Sequence, residues 1–183
     1  MRKSLSKTVR LFSCGSLLML GVISSISPAA FASSTAHKPI AVTIINSEGK
    51  EIGTATIVQQ KNAVQINIKA EKLPPGLHGF HIHETGLCEK PDFKSAGEHL
   101  NLTHKHHGFN NPKGFHTGDL PNLLVQKDGT VEATIESKVF TLNDLQKPGG
   151  TALVIHEKQD DYVTDPSGNS GNRIACGVIQ KKQ

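Results

Sequence analysis

The stretch AVQINIKA, Ala63–Ala70, decides the fold class. Val64, Ile66 and Ile68 alternate with Gln65, Asn67 and Lys69, so an extended chain buries one face and wets the other. Working outward, Ala41–Ile45, Ile52–Gln59, Leu77–His83, Leu123–Gln126, Thr130–Glu136, Ala152–Glu157 and Ile174–Ile179 also have strand character. Between them lie the turn signals Ser47-Glu48-Gly49, Lys61-Asn62, Pro74-Pro75-Gly76 and Asp128-Gly129. The Asp128-Gly129 pair predicts a hairpin joining Leu123–Gln126 to Thr130–Glu136. No segment carries a sustained apolar stripe at helical spacing. The expected architecture is therefore all-β, a sandwich or barrel of about eight strands.

Two long segments interrupt the rhythm. Glu84–Leu120 is rich in Gly, His, Asn and Pro, and Gln159–Asn172 holds Asp160, Asp161 and Asp165. Loops of this length without secondary structure are uncommon unless they carry function.

The chain has 183 residues, which suits one domain, with 20 Lys+Arg against 16 Asp+Glu. Four of the bases, Arg2, Lys3, Lys7 and Arg10, lie in residues 1–32, which hold no acid, so the remainder carries 16 of each sign. That balance argues against a nucleic-acid partner, which calls for a basic patch or stripe. Residues 1–32 have the form of a signal peptide. A basic start precedes an apolar run over Leu11–Ile26, and Ala30-Phe31-Ala32 supplies the small-x-small cleavage pattern. The run is broken by Ser and Gly and is shorter than the ~20 apolar residues of a spanning helix, so no stable membrane span is expected after cleavage. The expected product, residues 33–183, is extracytoplasmic: in a periplasm, at a cell wall or in the medium. Cleavage removes Cys14 and leaves Cys88 and Cys176, which an oxidising compartment favours pairing. The alternative is two free, buried thiols.

Histidine is the compositional outlier, with ten in all and eight of them between His78 and His116. In Gly79-Phe80-His81-Ile82-His83-Glu84, a strand points His81 and His83 to one face and Phe80 and Ile82 to the other. Two imidazoles can then share a metal while the apolar pair enters the core, although such a pair can also simply lie at the surface. His99, His107, His116 and Asp119 offer three nitrogens and a carboxylate, a set that suits tetrahedral zinc. His156 shares a face with Val154 and, taken alone, reads as a core histidine.

Taken together and in order, GFHIHE, SAGEH, HHG, FHTGDLPNL, VIHEKQDD and GNRIACGVI resemble the signature of the copper/zinc superoxide dismutases. The likeness runs from about Gly79 to Ile179, and the short gap from His83 to Cys88 is similar to the bacterial branch. The resemblance implies an eight-stranded antiparallel Greek-key β-barrel or sandwich with two long functional loops. It also implies copper on His81, His83, His99 and His156, and zinc on His99, His107, His116 and Asp119, with His99 bridging as an imidazolate. Asp160 would link a copper histidine to a zinc histidine, Cys88 and Cys176 would form the intrachain disulfide, and Arg173 would attract and orient superoxide. The implied reaction is dismutation of superoxide to dioxygen and hydrogen peroxide by a redox-cycling copper, with zinc structural.

The chain departs from the family pattern in having Asn101-Leu102 where Asn-Pro is usual. His104 and His106 have no assigned role, and Gln159–Asn172 contains no Lys or Arg to steer an anion. The alternative function is a non-catalytic copper/zinc-binding relative that buffers or delivers metal; it calls for a lost ligand or a lost Arg173, and all are present. An inert β-sandwich leaves the histidines unexplained, and a zinc hydrolase lacks a placed general base. The reading leaves open a homodimer and a copper donor as partners.

Overall fold

The computed structural model describes residues 38–180. The expected signal segment, 1–32, lies outside them. Nine strands appear: β1 Ile40–Asn46, β2 Glu51–Gln59, β3 Val64–Ala70, β4 Gly76–His78, β5 Phe80–His83, β6 Leu123–Val125, β7 Val131–Ser137, β8 Thr151–His156 and β9 Arg173–Ile179. Helix is confined to a 3-10 turn at Lys94–Ala96 and one α turn, Leu142–Leu145, held by a capping box between Thr141 and Asp144. Among the described residues, no helix is long and apolar enough to cross a membrane.

Seven strands form one antiparallel sheet in the order β5-β8-β9-β1-β2-β3-β7, and β4 pairs with β6 in a second. Strands from both ends of this order contribute to a single core: Phe80 and Ile82 of β5 cluster with Val131 and Ile135 of β7, and with Ile44, Ile57, Ile66 and Leu153 from between. The long sheet must therefore curl around that core. β3 shows the expected alternation, with Val64, Ile66 and Ile68 buried.

Two expectations need correction. Leu77–His83 is not one strand. It breaks at Gly79, whose carbonyl accepts from the His156 amide (2.8 Å) and whose amide donates to the Lys158 carbonyl (2.8 Å). A Cβ at Gly79 would stand 2.8 Å from the Ser170 side chain, so only glycine lets the loop approach. The Asp128-Gly129 turn forms, closed by the Gln126 amide on the Thr130 carbonyl (2.8 Å), but no hairpin ladder follows. β6 leaves to pair with β4 while β7 pairs with β3. Turn chemistry reports the bend; which neighbours the strands choose depends on the core beyond it.

β8 is buried along its whole length. Leu153 and Ile155 face the main core, while Ala152 and Val154 face a second cluster with Phe93, Ala96 and Cys176. The segment after β5 supplies that second layer, tied down by the Cys88–Cys176 disulfide. The sheet thus has a covered outer face, and the histidines sit there.

Candidate metal centre

Register brings the rings together. β5 pairs with β8 so that His81 lies opposite Val154 and His83 opposite Ala152. His81 and His83 take the outer face because Phe80 and Ile82 take the inner one. His156 ends β8 on the same outer face as Val154, and a register shift after Ile155 sets it opposite Arg173 on β9. The long loop then folds along the free edge of β5. The Ile82 amide donates to the Gly118 carbonyl and the Leu100 amide to the Ile82 carbonyl, each at 2.8 Å. Isolated bridges set His99 beside His83 and Asp119 beside His81.

The result is two buried clusters that share one ring. His81, His83, His99 and His156 form the first, and His99, His107, His116 and Asp119 the second; in each, the ligand atoms lie within 4.8 Å of one another. A third grouping, His81, His107 and Asp160, links them. The outward nitrogens determine what the inward ones can do. His83 Nδ1 donates to the Gly97 carbonyl (2.9 Å) and His156 Nδ1 to the Gly171 carbonyl (3.2 Å). His81 Nε2 donates to Asp160 Oδ2 (2.8 Å) and His99 Nδ1 to Asp119 Oδ1 (3.0 Å). Carbonyls and carboxylates accept only, so the ring protons sit on these outward atoms and the other nitrogens present lone pairs. His83 Nε2 and His156 Nε2 face each other at 3.4 Å. His81 Nδ1 and His99 Nε2 are buried with no partner.

Four lone pairs in one buried space repel each other and lack donors, and an orphaned buried polar atom costs about 1–3 kcal/mol. A single cation can satisfy all four, whereas a water molecule can donate to only two of them. A proton is a poor candidate. Burial, followed by the charge of His156, pushes the His81 ring down to about 4 despite Asp160. Burial, with His81 and His107 nearby, pushes His99 down to about 3, and burial, with His99 and Arg173 nearby, does the same to His156. Burial holds His83 well below its ordinary value. The donor set of neutral imidazoles fits copper or zinc.

The second cluster is acidic in character. Asp119 Oδ1 accepts from His99 and from His107 Nδ1 (3.1 Å), while its Oδ2 accepts from the amides of Gly108 (2.9 Å) and His116 (3.0 Å). Burial opposes its charge, but the bonds from His107, His116 and His99 hold the carboxyl well below the usual range. His107 is bracketed, since its Nε2 also donates to Asp160 Oδ1 (2.9 Å). Burial works against its charge, and the two carboxylates more than offset this, raising it to about 9. Three imidazoles and a carboxylate match a tetrahedral zinc set.

These shifts fix how the metal-free chain responds to pH. The depressed rings take up protons in the unfolded chain below their ordinary 6.5 but not in the folded one. Each therefore removes stability progressively as pH falls from 6.5 toward its folded value. His107 acts in the opposite sense: its contribution is complete below 6.5 and disappears as pH rises to about 9. Calorimetry of chelated protein should show the highest melting temperature near pH 6.5, with the steeper loss on the acid side. A flat profile from pH 4 to 6.5 would contradict the neutral-ring assignment.

Asp160 accepts from His81 and His107 and from the Tyr162 amide (2.7 Å); Asn122 pins its backbone at both the amide and the carbonyl (2.9 Å each). A Cβ at Gly168 would fall 1.8 Å from Asp160 Oδ1, so the loop closes over the carboxylate only with glycine there. The other two acids of this loop hold backbone in place, Asp161 within the loop and Asp165 on the preceding long loop. Asp161 binds the amides of Val163 and Thr164 (2.9 Å each), and Asp165 binds the His107 amide (2.7 Å). His106, without a role in the sequence, donates to Asp165 (2.6 Å) in the open; His104 is exposed.

Arg173 stands beside the first cluster. Its guanidinium donates to the Phe93 carbonyl (2.8 Å) and the Gly97 carbonyl (2.7 Å), the latter shared with His83. A cavity of about 600 Å³ lined by Asp92, Lys94, Glu98, Asn172 and Arg173 opens there. His78, another buried ring, joins the His156 carbonyl (2.7 Å) to the Pro74 carbonyl (2.8 Å) and so fixes the end of β8. The sequence had flagged His78 only as part of the histidine cluster.

The family model described as copper/zinc superoxide dismutase matches residues 51–179. A protein of Aquifex aeolicus named superoxide dismutase [Cu-Zn] 1 is 48% identical over 143 residues, covering 75% of this chain and 85% of its own. A superoxide dismutase-like protein of Bacillus subtilis is 47% identical over 146 residues, covering 75% and 74%. Among solved structures, a double mutant of a superoxide dismutase-like protein from Bacillus subtilis superposes with a TM-score of 0.75 at 46% identity, covering 76% of this chain and 96% of that one. The Cu/Zn superoxide dismutase from Brucella abortus gives 0.67 at 32%, covering 78% and 100%. The family match spans both histidine clusters and the strands that carry them, and relatives close to half identical share most of their length with it: the chain belongs to the copper/zinc superoxide dismutase family.

Proposed function

We propose that this chain converts two superoxide anions and two protons into dioxygen and hydrogen peroxide. His81, His83, His99 and His156 would hold copper, and His99, His107, His116 and Asp119 would hold zinc, with His99 common to both sets. The observation that carries this reading is the set of four inward lone pairs, two of them facing at 3.4 Å, in rings too buried to protonate readily. When bound, copper supplies a one-electron couple and zinc a redox-inert charge.

The protein's own groups do the rest. Arg173, fixed by two carbonyls, offers a cation with several donors to a small anion. His99 Nε2 is the atom placed to take a proton and return it, since Nδ1 is engaged on the Asp119 side. Asp160 holds His81 and His107 in one tautomer each, as acceptors behind metal ligands generally do. The disulfide and the form of residues 1–32 support export, and with it an extracytoplasmic site of action.

The test is superoxide dismutation by residues 33–183 loaded with one copper and one zinc. Turnover near the diffusion limit supports the proposal. Full loading of both metals without turnover overturns it in favour of metal buffering or delivery.

A further inference from the structure

The cavity in front of Arg173 has a charge balance that the dismutase reading does not require. Its charged lining residues are Asp92, Lys94, Glu98 and Arg173, two of each sign. Asp92 is neutralised locally, because Lys94 Nζ lies 2.8 Å from its Oδ2. Glu98 forms no ion pair among the described residues and is exposed. It lies between Gly97, whose carbonyl anchors Arg173, and His99, the ring shared by both clusters. Of the carboxylates that act on the Arg173 charge, Glu98 is the strongest and Asp92 the next. Glu98 thus offsets Arg173, the one cation of this lining, among the described residues, that is held by backbone carbonyls. No step of dismutation uses a carboxylate there, and an anionic substrate is slowed by it.

We propose that Glu98 is a specificity-determining residue that sets which anions reach Arg173, holding back dianions more strongly than monoanions such as superoxide. The physical basis is that a fixed charge changes the free energy of a ligand in proportion to the ligand's own charge. A negative charge near Arg173 therefore costs a dianion about twice, in logarithm, what it costs a monoanion. Superoxide is admitted at a reduced rate, while dianionic phosphate, the dominant form above neutral pH, is kept from occupying the guanidinium. The inference rests on the proposed reaction for its substrate but not for its anion chemistry.

The test compares the wild type with Glu98→Gln and with Glu136→Gln, which makes the same change in net charge on β7, outside the cavity that Arg173 lines. In the copper- and zinc-loaded chain, Glu98→Gln should raise kcat/KM for superoxide about threefold at low ionic strength, with the gain disappearing as salt screens it. In zinc-loaded, copper-free protein, azide and phosphate are titrated above neutral pH, where phosphate is mainly the dianion, while the Arg173 side-chain signals are followed by NMR. Azide should bind about threefold tighter in Glu98→Gln and phosphate about ninefold tighter, with Glu136→Gln unchanged. Equal shifts for the two anions, no shift, or the same shift in Glu136→Gln would overturn the proposal. If the loaded wild type does not dismute superoxide, the reaction is wrong, and the azide and phosphate titrations still decide the role of Glu98.

Discussion

His99→Ala should lower dismutation at least about a hundredfold and reduce the binding of both metals, whereas His104→Ala should leave rate and metal content unchanged. His99 is the one residue common to the two clusters. Its Nδ1 lies 3.0 Å from Asp119, and its ring centroid is 4.0 Å from that of His81 and 5.4 Å from that of His116. Removing it takes one donor from each four-membered set. Asp119 then loses one of the hydrogen bonds that keep it charged in a buried site. Changes merely behind a metal ligand cost about ten- to a hundredfold in affinity or activity, so losing a ligand common to both sites should cost more. Elemental analysis should show zinc and copper both below one per chain, and the Cu(II) spectrum should shift where copper remains. Full occupancy of both metals with more than a tenth of the wild-type rate would show that the ring bridges nothing.

The strands of the core and of the histidine clusters were legible where they obey simple periods. Val64, Ile66 and Ile68 marked β3, and the alternation in Phe80-His81-Ile82-His83 put apolar and imidazole side chains on opposite faces, where they are found. His156 was ambiguous for a physical reason: β8 is buried on both faces, so its sequence is a continuous apolar run with no wet side to orient it. The break at Gly79 was hidden because a strand that changes sheet keeps its local pattern. The groups that orient the rings were the least legible. The Gly97 and Gly171 carbonyls hold His83 and His156, and the Phe93 and Gly97 carbonyls hold Arg173. A backbone oxygen has no residue signature, and only the glycines, both with positive φ, hinted that the chain must turn there. Likewise Asp161 and Asp165 had no role legible in the sequence; their hydrogen bonds show Asp161 closing its own loop and Asp165 tying that loop to His106 and His107.

Replacing both Cys88 and Cys176 with serine should lower the melting temperature by about 10–20 °C and slow turnover further as temperature rises toward that point. The bridge spans 88 positions of sequence, and chain-entropy estimates for a loop of that length are about 4–5 kcal/mol. A domain of this size loses about 2–4 °C per kcal/mol. The coupling to rate is local. Cys88 belongs to the segment between β5 and the 3-10 turn, and Cys176 belongs to β9, the strand that begins with Arg173. Arg173 fastens the same segment to the same strand through Phe93 and Gly97. Covalent bond and guanidinium therefore act in parallel on one layer, and Phe93 and Ala96 pack beneath it against Val154 and Cys176. Without the disulfide, the layer is held by two charge-assisted hydrogen bonds, each contributing about 1.5–3 kcal/mol, by that small cluster and by single bonds such as the Gly86 amide on the Gly149 carbonyl. Its opening frees Arg173 and unseats the Gly97 carbonyl from His83 together, so the loss of rate should track local opening well below global unfolding. Hydrogen exchange at the amides of Thr85 and Gly97, both bonded within this layer, should quicken before the β2–β3 ladder responds. Uniform exchange across both regions, or an unchanged melting temperature, would separate the disulfide from the placement of Arg173.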